Sequence, residues 1–288
     1  MKKPFQSVCE RHDRRGLACR LQKHQGTKMK TVVLSYKSAV GKVCRYLTIT
    51  SLALIIGQPR FLGAAESPLP AGQIPLDSEA GIRLLEESGA RASFYSLIQH
   101  LAWQQTPTYC GVASAVTVLN TLHPTNTPLC ATLGGKIAIF DQQNFFTPRV
   151  EQVVAQSVVA KQGFTLDEWT RAVGSYGLKT EAFHCGDASG LTGFTEFLDR
   201  AKKTLARKDQ FLVVNFERKA MGQAGKTGHF SPVGAYNEQE NKFLVLEVAI
   251  FKYPVYWVDA ELLWKAMSTQ DRVSQKNRGF VIVSQNAN

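Results

Sequence analysis

Apolar residues recur at helical spacing in several segments before residue 210. This spacing, with polar residues on the opposite face, predicts amphipathic or buried helices. Asp77 or Ser78 precedes the first of these segments and is a candidate N-cap. The predicted helices span residues 77–87, 110–122, 166–176 and 194–207.

The last third of the chain contains short runs of β-branched and aromatic residues bounded by polar turns, which predict strands. Glycines make residues 219–227 the segment that we expect to be most mobile. The predicted strands span residues 211–216, 230–236, 243–250 and 280–284, with one late helix over residues 260–267. Helices that precede a group of strands predict an α+β fold instead of alternating βαβ units.

The charge of the chain is concentrated at its beginning. Of 34 basic and 23 acidic residues in the 288-residue sequence, 13 and two lie within residues 1–65, which leaves 21 of each sign in the remainder. A body without net charge argues against nucleic acid as a partner, despite the formal charge of +11. The hydrophobic fraction of 44% is ample for a packed core.

The basic start is followed by features of an export signal. Basic residues up to Arg45 precede an apolar run over residues 46–57 and small residues at 63–65. We expect cleavage after Ala65, export to the periplasm and a single catalytic domain over residues 66–288. An uncleaved membrane anchor is the alternative, but 12 apolar residues are too few to span about 30 Å of hydrocarbon. No later segment is predicted to cross a bilayer.

The cysteines bear on both redox state and metal binding. Three of the six lie before Ala65, and the other three are Cys110, Cys130 and Cys185. In an oxidising compartment Cys130 and Cys185 could form a disulfide, or both could be buried thiols, and the sequence leaves this open. Without a CxxC motif or clustered histidines and cysteines, no protein metal site is predicted.

Cys110 stands where a polar loop with a proline leads into an apolar helix. The start of a helix offers unpaired N–H groups and the positive end of the helix dipole, both of which favour a thiolate. The alternative is an ordinary buried cysteine that packs as a small apolar side chain. The helix-start position favours Cys110 as a nucleophile.

Gln104 precedes Cys110 by six residues. An amide in this loop could donate to the oxygen of a carbonyl under attack, together with the backbone N–H of Cys110. Its neighbour Gln105 is a rival for this role, and either glutamine could be an ordinary surface residue.

His229 opens an apolar segment with glycines and a proline, residues 228–236. A histidine can accept the thiol proton and later protonate a leaving amine. The separation of 119 residues from Cys110 is comparable with the roughly 130–150 residues between such partners in papain-like enzymes. A hydrogen-bonded core or surface histidine is the alternative, and we interpret His100, His123 and His184 in that way.

Glu247 is a carboxylate within the apolar strand predicted over residues 243–250. Burying such a group without a partner is costly. A hydrogen bond from the ring of His229 would offset the cost and complete a triad. An ion pair with an arginine, for instance Arg218, is the alternative.

Three segments together resemble a known family. Residues 104–120 (QQTPTYCGVASAVTVLN), 228–236 (GHFSPVGAY) and 247–258 (EVAIFKYPVYWV) resemble the catalytic core of phytochelatin synthases in their short bacterial form. The FKYP run is far more specific than the Cys/His pair. The resemblance implies a papain-like cysteine peptidase fold, with a helical N-terminal half that carries the cysteine and an antiparallel sheet that carries the histidine and the acid.

The resemblance also implies an activity. Members of the family attack the Cys–Gly bond of glutathione and form a γ-glutamylcysteinyl thioester, which water or a second glutathione then accepts. Eukaryotic members have a further Cys-rich half, and this sequence ends at Asn288 without it. We therefore expect mainly hydrolysis to γ-glutamylcysteine and glycine, with weak phytochelatin synthesis as an additional activity.

No protein-bound cofactor is implied. Cadmium or zinc would enter as a thiolate complex of glutathione and thus as part of the substrate. Glutathione is the expected partner, and a homodimer is left open.

The resemblance assigns roles by position. Cys110 corresponds to the nucleophile, His229 to the general base and acid, and Gln104 to the oxyanion donor. Arg218 and Asn215 are weaker assignments for holding substrate carboxylate or amide groups.

Two positions depart from the family pattern. The third triad member is aspartate in the family, whereas the matching residue here is Glu247, whose extra methylene requires a shift of about 1 Å. An arginine common in the family is replaced by Ile250, which removes a charge near the expected site.

Two other functions fit part of the same pattern. Bacteriocin-leader-type cysteine peptidases, which cleave after a double glycine, also have a glutamine before a Cys-Gly pair and a later histidine and acid. A non-catalytic module that binds thiol peptides or metal would be consistent with the change from aspartate to Glu247.

Overall fold

The computed structural model describes residues 68–125, 127–132, 135–186, 192–225 and 227–286. The predicted export signal over residues 1–65 and its cleavage site lie outside these ranges and stay predictions, as does the periplasmic location. Within the described ranges, none of the helices has the combination of length and apolar character needed to cross a membrane.

The helices of the described residues are mostly short, and the first ones precede most of the strands. They are α1 (Glu79–Glu87), α2 (Phe94–Gln99), α3 (Cys110–Leu122), α4 (Pro148–Val153), α5 (Gln156–Gln162), α6 (Leu166–Gly174), α7 (Phe194–Leu205) and α8 (Ala260–Met267).

The strands form one large antiparallel sheet and a separate hairpin. They are β1 (Ile74–Pro75), β2 (Leu129–Thr132), β3 (Gly135–Ala138), β4 (Leu178–His184), β5 (Gln210–Glu217), β6 (Gly228–Asn237), β7 (Lys242–Val245), β8 (Tyr256–Asp259) and β9 (Gly279–Gln285). The seven-stranded sheet has the order β1-β8-β7-β6-β5-β9-β4, and β2 pairs with β3. The mixture of helices with an antiparallel sheet agrees with the predicted α+β class.

Side chains of the sheet alternate between two cores. Along β5, Phe211 and Val213 belong to the core that includes most of α3, whereas Leu212 and Val214 belong to the core that includes buried residues of α7 and α8. The sheet is therefore covered on both faces. Because α3 packs on β6, the start of this helix lies against the strand that carries His229.

The helix predictions from the sequence are confirmed, with small changes at the ends. The segments 110–122 and 260–267 are helices with the predicted bounds, and those that begin at Leu166 and Phe194 each end two residues earlier than predicted. Ser78, and not Asp77, caps α1, because the side chain of Ser78 accepts a hydrogen bond from the N–H of Gly81.

The prediction of a strand over residues 243–250 is wrong beyond Val245, where β7 ends. The side chain of Glu247 accepts a hydrogen bond from the backbone N–H of Ala249, at 2.7 Å from Oε1. A carboxylate that binds a nearby backbone N–H competes with the sheet for that donor and favours a turn. Glu247 therefore lies in the loop that follows β7 and not within a strand.

Of Cys130 and Cys185, the two cysteines that could form a disulfide, the structure describes the side chain of only one. Cys185 is a free thiol that is fully buried in the core between the sheet and α7. The side chain of Cys130 lies outside the part of the chain that the structure describes.

Gly279, at the start of β9, supports a prediction about stability. A Cβ atom there would lie 1.9 Å from the carbonyl oxygen of Phe183 in the neighbouring strand, which is backbone and cannot rotate away. Gly279→Ala should therefore lower the free energy of unfolding by about 3 kcal/mol, at the upper end of the usual range for overpacking. Urea unfolding followed by tryptophan fluorescence measures this change.

Gly89→Ala is the matched control, because no atom lies within 4 Å of a Cβ built at that exposed glycine. Its effect should stay within about 0.5 kcal/mol, as for most surface substitutions. Equal effects of the two substitutions would contradict the close approach of β4 and β9 at Gly279.

Candidate active site

Cys110 is the first residue of α3, and its residue surface is 8% exposed. Among the described residues, no side chain caps the start of this helix, where Tyr109 occupies the N-cap position. The unpaired backbone N–H groups and the positive end of the helix dipole therefore lie at the end of the helix that carries the Cys110 thiol. The position matches the sequence prediction for Cys110.

Close packing around Gly111 fixes the start of α3. The indole N–H of Trp169 donates to the carbonyl of Gly111 at 2.8 Å, and the Trp169 ring stacks on Phe230 of β6. A Cβ on Gly111 would lie 2.9 Å from Phe164 and 3.2 Å from Trp169. A glycine after Cys110 therefore allows the helix start to approach the strand that bears His229.

His229, the second residue of β6, is 2% exposed and connects the thiol with an acid. Its ring interacts with the Cys110 thiol closely enough to lower the pKa of the thiol. Nε2 of His229 lies 2.7 Å from Oε1 of Glu247 and 3.0 Å from the Ser231 hydroxyl oxygen. The structure therefore brings the three residues predicted as nucleophile, base and acid into one connected arrangement.

The carboxylate of Glu247 is fully buried and has several donors. Besides the contact with His229, Oε1 accepts from the N–H of Ala249 and from Nη2 of Arg218 at 3.0 Å. Oε2 accepts from Nη1 of Arg218 at 3.2 Å. Both partners that the sequence offered for Glu247, the histidine and the arginine, are therefore present at once.

Arg218 follows β5 directly and is 2% exposed. Its Nη2 atom lies 3.1 Å from Nδ1 and 3.0 Å from Nε2 of His229. Nearly equal distances to both nitrogens place this group over the face of the ring, because a position in the ring plane at that distance would overlap Cε1. Guanidinium groups commonly stack on aromatic faces in this way.

The two residues predicted to hold substrate differ in position. Asn215 of β5 lines a cavity beside Cys110 and donates from Nδ2 to the carbonyl of His229 at 3.3 Å. Arg218 is not among the described residues that line that cavity. It lies on the other side of His229 from the cavity and binds Glu247.

Gln104 lies in the segment before α3 and is 7% exposed. Its Nε2 donates to the carbonyl of Thr106 at 2.9 Å, and within the described residues its buried Oε1 has no hydrogen-bond partner. The rival Gln105 is exposed and accepts from the amide of Gln143. Gln104 is the more constrained of the two amides, but among the described residues it lines a separate cavity and not the one beside Cys110.

The cavity beside Cys110 has a volume of about 290 Å³. Its walls combine the loop before α3, the end of α5, the start of β6 and the segment before β9. The lining residues are Pro107, Thr108, Cys110, Lys161, Gln162, Gly163, Phe164, Asn215, Thr227, Gly228, Phe230, Asp271, Arg272 and Arg278.

Arg278 is a candidate site residue that the sequence analysis missed. It is 5% exposed, and Nη1 lies 3.3 Å from Oδ1 of Asp271 without hydrogen-bond geometry. Within the described residues, neither Nε nor Nη1 has a hydrogen-bond partner. Burial lowers the pKa of Arg278, although the negative charge of Asp271 opposes this shift. A buried guanidinium with free donors at a cavity wall is suited to bind a carboxylate.

The electrostatics favour a thiolate and an imidazolium. Burial opposes ionisation of the Cys110 thiol, but the hydrogen bond and charge of His229, a backbone hydrogen bond from Phe230 and the charge of Arg218 outweigh it and lower the pKa of Cys110. Burial and Arg218 oppose protonation of His229, but Glu247 and Cys110 outweigh them and raise the pKa of His229. For Glu247, burial is outweighed by His229 and Arg218, which lower its pKa to about 2.

The free thiols of Cys110 and Cys185 support a prediction about pH dependence. Because the pKa of Cys110 is lowered, its thiolate should persist at lower pH than in an ordinary cysteine, whose pKa is about 8.5. Iodoacetamide should therefore modify Cys110 with a pH midpoint below that value, as measured by peptide-resolved mass spectrometry. Cys185, whose pKa burial raises well above the usual value, should react only after unfolding.

His229→Gln should raise the pH midpoint for Cys110, because it removes the imidazolium that stabilises the thiolate. Equal reactivity of Cys110 and Cys185 in the folded protein, or a midpoint unchanged by His229→Gln, would contradict this account of the pair.

Comparison with known proteins adds an independent result. The phytochelatin synthase family matches residues 64–280. The glutathione γ-glutamylcysteinyltransferase of Schizosaccharomyces pombe is 33% identical over 219 residues, which cover 75% of this chain and 50% of the relative. Glutathione γ-glutamylcysteinyltransferase 3 of Lotus japonicus is 30% identical over 196 residues, covering 68% and 38%, and glutathione γ-glutamylcysteinyltransferase 1 of Arabidopsis thaliana is 31% identical over 198 residues, covering 69% and 38%.

This chain spans half or less of the length of these relatives. The match nevertheless includes the segments around Cys110, His229 and Glu247, and it extends through Arg278. The chain belongs to the phytochelatin synthase family.

Proposed function

We propose that this chain is a cysteine-dependent acyltransferase with a papain-like catalytic arrangement, which cleaves the Cys–Gly bond of glutathione. The observation that carries the proposal is the buried set of Cys110, His229 and Glu247 beside a cavity with charged walls. Relatives named for transfer of the γ-glutamylcysteinyl group support the choice of substrate.

In the first step the thiolate of Cys110 attacks the carbonyl carbon of the cysteinyl residue of glutathione. The bond from this carbon to the glycine nitrogen breaks, and His229 donates its proton to the leaving amine. With Nε2 directed at Glu247, Nδ1 is the nitrogen that faces this proton transfer. The products are free glycine and a γ-glutamylcysteinyl thioester on Cys110.

The oxygen of the attacked carbonyl becomes negatively charged during this step and needs donors. We assign this role to the backbone N–H of Cys110 and the amide of Gln104. One N–H of that amide is used by Thr106, and an amide group has two. The second N–H is the donor available to the oxyanion.

Glu247 and Arg218 have opposite effects on the protonation of His229. The carboxylate stabilises the imidazolium, whereas the guanidinium over the ring opposes it. These two charges act in opposite directions on a histidine that must both accept and donate a proton during the cycle. We assign Arg218 this role in place of binding substrate.

In the second step, water attacks the thioester while His229 takes its proton, and γ-glutamylcysteine leaves with the thiol of Cys110 restored. Hydrolysis is proposed as the main outcome, since a cavity of about 290 Å³ is at the small end of ligand sites and suits a single acyl group. A second glutathione is the weaker acceptor. Cadmium or zinc would take part as a thiolate complex of the substrate.

The charged wall of the cavity suits one end of glutathione in particular. The γ-glutamyl group carries an α-carboxylate and an α-ammonium on the same carbon. Arg278 and Asp271 present a guanidinium and a carboxylate next to each other on that wall. We propose that Arg278 binds the α-carboxylate and that Asp271 binds the α-ammonium.

Incubation of the purified protein with glutathione tests the proposed reaction. Glycine and γ-glutamylcysteine should appear, and intact-mass measurement after brief exposure should detect the γ-glutamylcysteinyl adduct on Cys110. Cys110→Ser should abolish both signals while the circular dichroism spectrum is preserved, because a hydroxyl without strong activation is a far poorer nucleophile. Parallel reactions with added cadmium measure the effect of the thiolate complex.

Three results would contradict the proposal: no glycine release with or without cadmium, glycine release by Cys110→Ser, or cleavage of a double-glycine leader peptide in the absence of glutathione cleavage. The last result would assign the same site to a peptidase.

Substitution of Arg278 tests the assignment of the γ-glutamyl group. Arg278→Met should raise KM for glutathione at least about tenfold with little change in kcat, because a hydrogen bond to a charged group contributes about 1.5–3 kcal/mol. Steady-state kinetics of glycine release measure both constants. Arg272→Met is the control at an exposed position of the same cavity, and its effect on KM should be smaller. An unchanged KM in Arg278→Met would refute the assignment.

A further inference from the structure

Residues 68–75, here called the N-terminal strap, run along the edge of the sheet before α1. The strap ends in β1, which pairs with Tyr256 and Trp257 of β8. Gln73 is 7% exposed, and its side chain points to the turn that follows β5. Its Nε2 donates to the carbonyl of Met221 at 2.8 Å, and its Oε1 accepts from Nε2 of Gln223 at 3.2 Å.

Gln223 continues the chain of hydrogen bonds toward the site. It is 4% exposed, and its Oε1 accepts from Nη1 of Arg218 at 2.6 Å. The backbone N–H of Gln223 also donates to the carbonyl of Arg218 at 2.9 Å. Both ends of this buried amide are therefore used, one by the strap and one by the arginine.

The groups at the two ends of this series of hydrogen bonds determine which side-chain atoms donate and which accept. The carbonyl of Met221 can only accept, and the guanidinium of Arg218 can only donate. Gln73 must therefore turn its amide nitrogen to Met221 and its oxygen to Gln223, which in turn must direct its oxygen to Arg218. A reversed amide at either glutamine would set two donors or two acceptors against each other.

Arg218 is the link between these glutamines and the proposed site. Its Nη1 is shared between Gln223 and Glu247, and its Nη2 lies between Glu247 and the face of His229. If the acceptor at Gln223 were lost, the guanidinium would keep its hydrogen bonds to Glu247 and its contact with the Tyr253 ring, but Nη1 would lose its shortest hydrogen bond, and the group could shift relative to the face of His229. A displacement of about 1 Å in such a group is enough to affect a rate strongly.

We propose that Gln73 and Gln223 are positioning residues for the acyl-transfer site: the strap fixes Gln223, and Gln223 holds Arg218 against Glu247 and His229. This inference rests on the proposed function, because it assigns the glutamines a part in that same reaction. Neither glutamine lines the cavity beside Cys110 within the described residues, so their effect is on the chemical step and not on substrate binding.

The first test uses Gln73→Met and Gln223→Met, which keep the side-chain length and remove the hydrogen bonds. Both should lower kcat for glycine release by about 10- to 100-fold and leave KM for glutathione nearly unchanged. Asn237→Leu is the control: it removes a buried amide with two hydrogen bonds at the far end of β6 and should leave kcat unchanged.

The pH profile separates positioning from a merely structural role. The charge of Arg218 lowers the pKa of both Cys110 and His229. Movement of the guanidinium away from these residues should therefore raise both pKa values. Both limbs of the kcat/KM profile should then move to higher pH in the two methionine variants. Among the described residues, the other charged or titratable groups around this cluster are Glu247, Tyr253, Tyr256 and Arg278, with Asp271 beside Arg278, and the substitutions leave them in place.

Alkylation of Cys110 gives a readout that does not require glutathione. Its pH midpoint should rise in Gln73→Met and in Gln223→Met relative to the parent and to Asn237→Leu. A parent that releases no glycine, with the midpoint shift still present, would refute the proposed reaction and support the positioning inference. Folded methionine variants with parental kcat, parental pH profile and parental midpoint would refute the inference while the proposed function stood. The two methionine variants are separate tests, so either one that folds is sufficient for the comparison.

Discussion

The buried carboxylate of Glu247 is the group on which the arrangement of the site depends. Its two oxygens receive hydrogen bonds from an imidazole, a guanidinium and a backbone amide, so that a charge that would be costly in an apolar core is stabilised. Removing one partner of a buried ion pair usually costs several kcal/mol, because the other charge is left uncompensated. The carboxylate thus fixes the position of His229 and Arg218 together, and through His229 it governs the ionisation of Cys110.

The sheet provides the rigid frame for this group. Strands β5 and β6 are neighbours, and their register sets Phe216, two residues before Arg218, opposite His229. Helix α3 packs on β6 and brings Cys110 to the same end of that strand, where Trp169 and Phe230 close the contact. The thiol and the imidazole come from distant parts of the sequence, yet both belong to regular elements whose positions are fixed by packing. A site of this kind needs little reorganisation to react.

Much of the fold and of the candidate site could be predicted from the sequence, because the patterns that indicate these elements are local. The helix that begins at Cys110 follows a clear loop-to-helix transition, and the strand with His229 is bounded by glycine and polar residues. Glu247 was identified as a triad candidate because a carboxylate in an apolar segment needs a partner, although its placement within a strand was wrong. The side chain itself binds the backbone of Ala249 and favours the turn, an effect that hydrophobic patterning does not register.

The residues that the sequence analysis missed reach the site through contacts between segments that are far apart in the sequence. Arg278 is an unremarkable charge in the polar run before β9, and only the insertion of β9 between β5 and β4 brings it to the cavity. Gln73 and Gln223 are 150 positions apart, and no local pattern indicates that their amides meet. For Arg218 the sequence offered two roles, and only coordinates could show that its guanidinium lies behind the histidine instead of on the cavity wall.

The location of β9 has a consequence for biosynthesis. This strand is the last one along the described chain, yet it occupies an interior position in the sheet and directly follows Arg278. A ribosome-bound chain that has not yet released residues 271–285 therefore has Cys110 but lacks an interior strand and the cavity-lining residues Asp271, Arg272 and Arg278. The cysteine is therefore synthesised well before the strand and the side chains that complete its cavity.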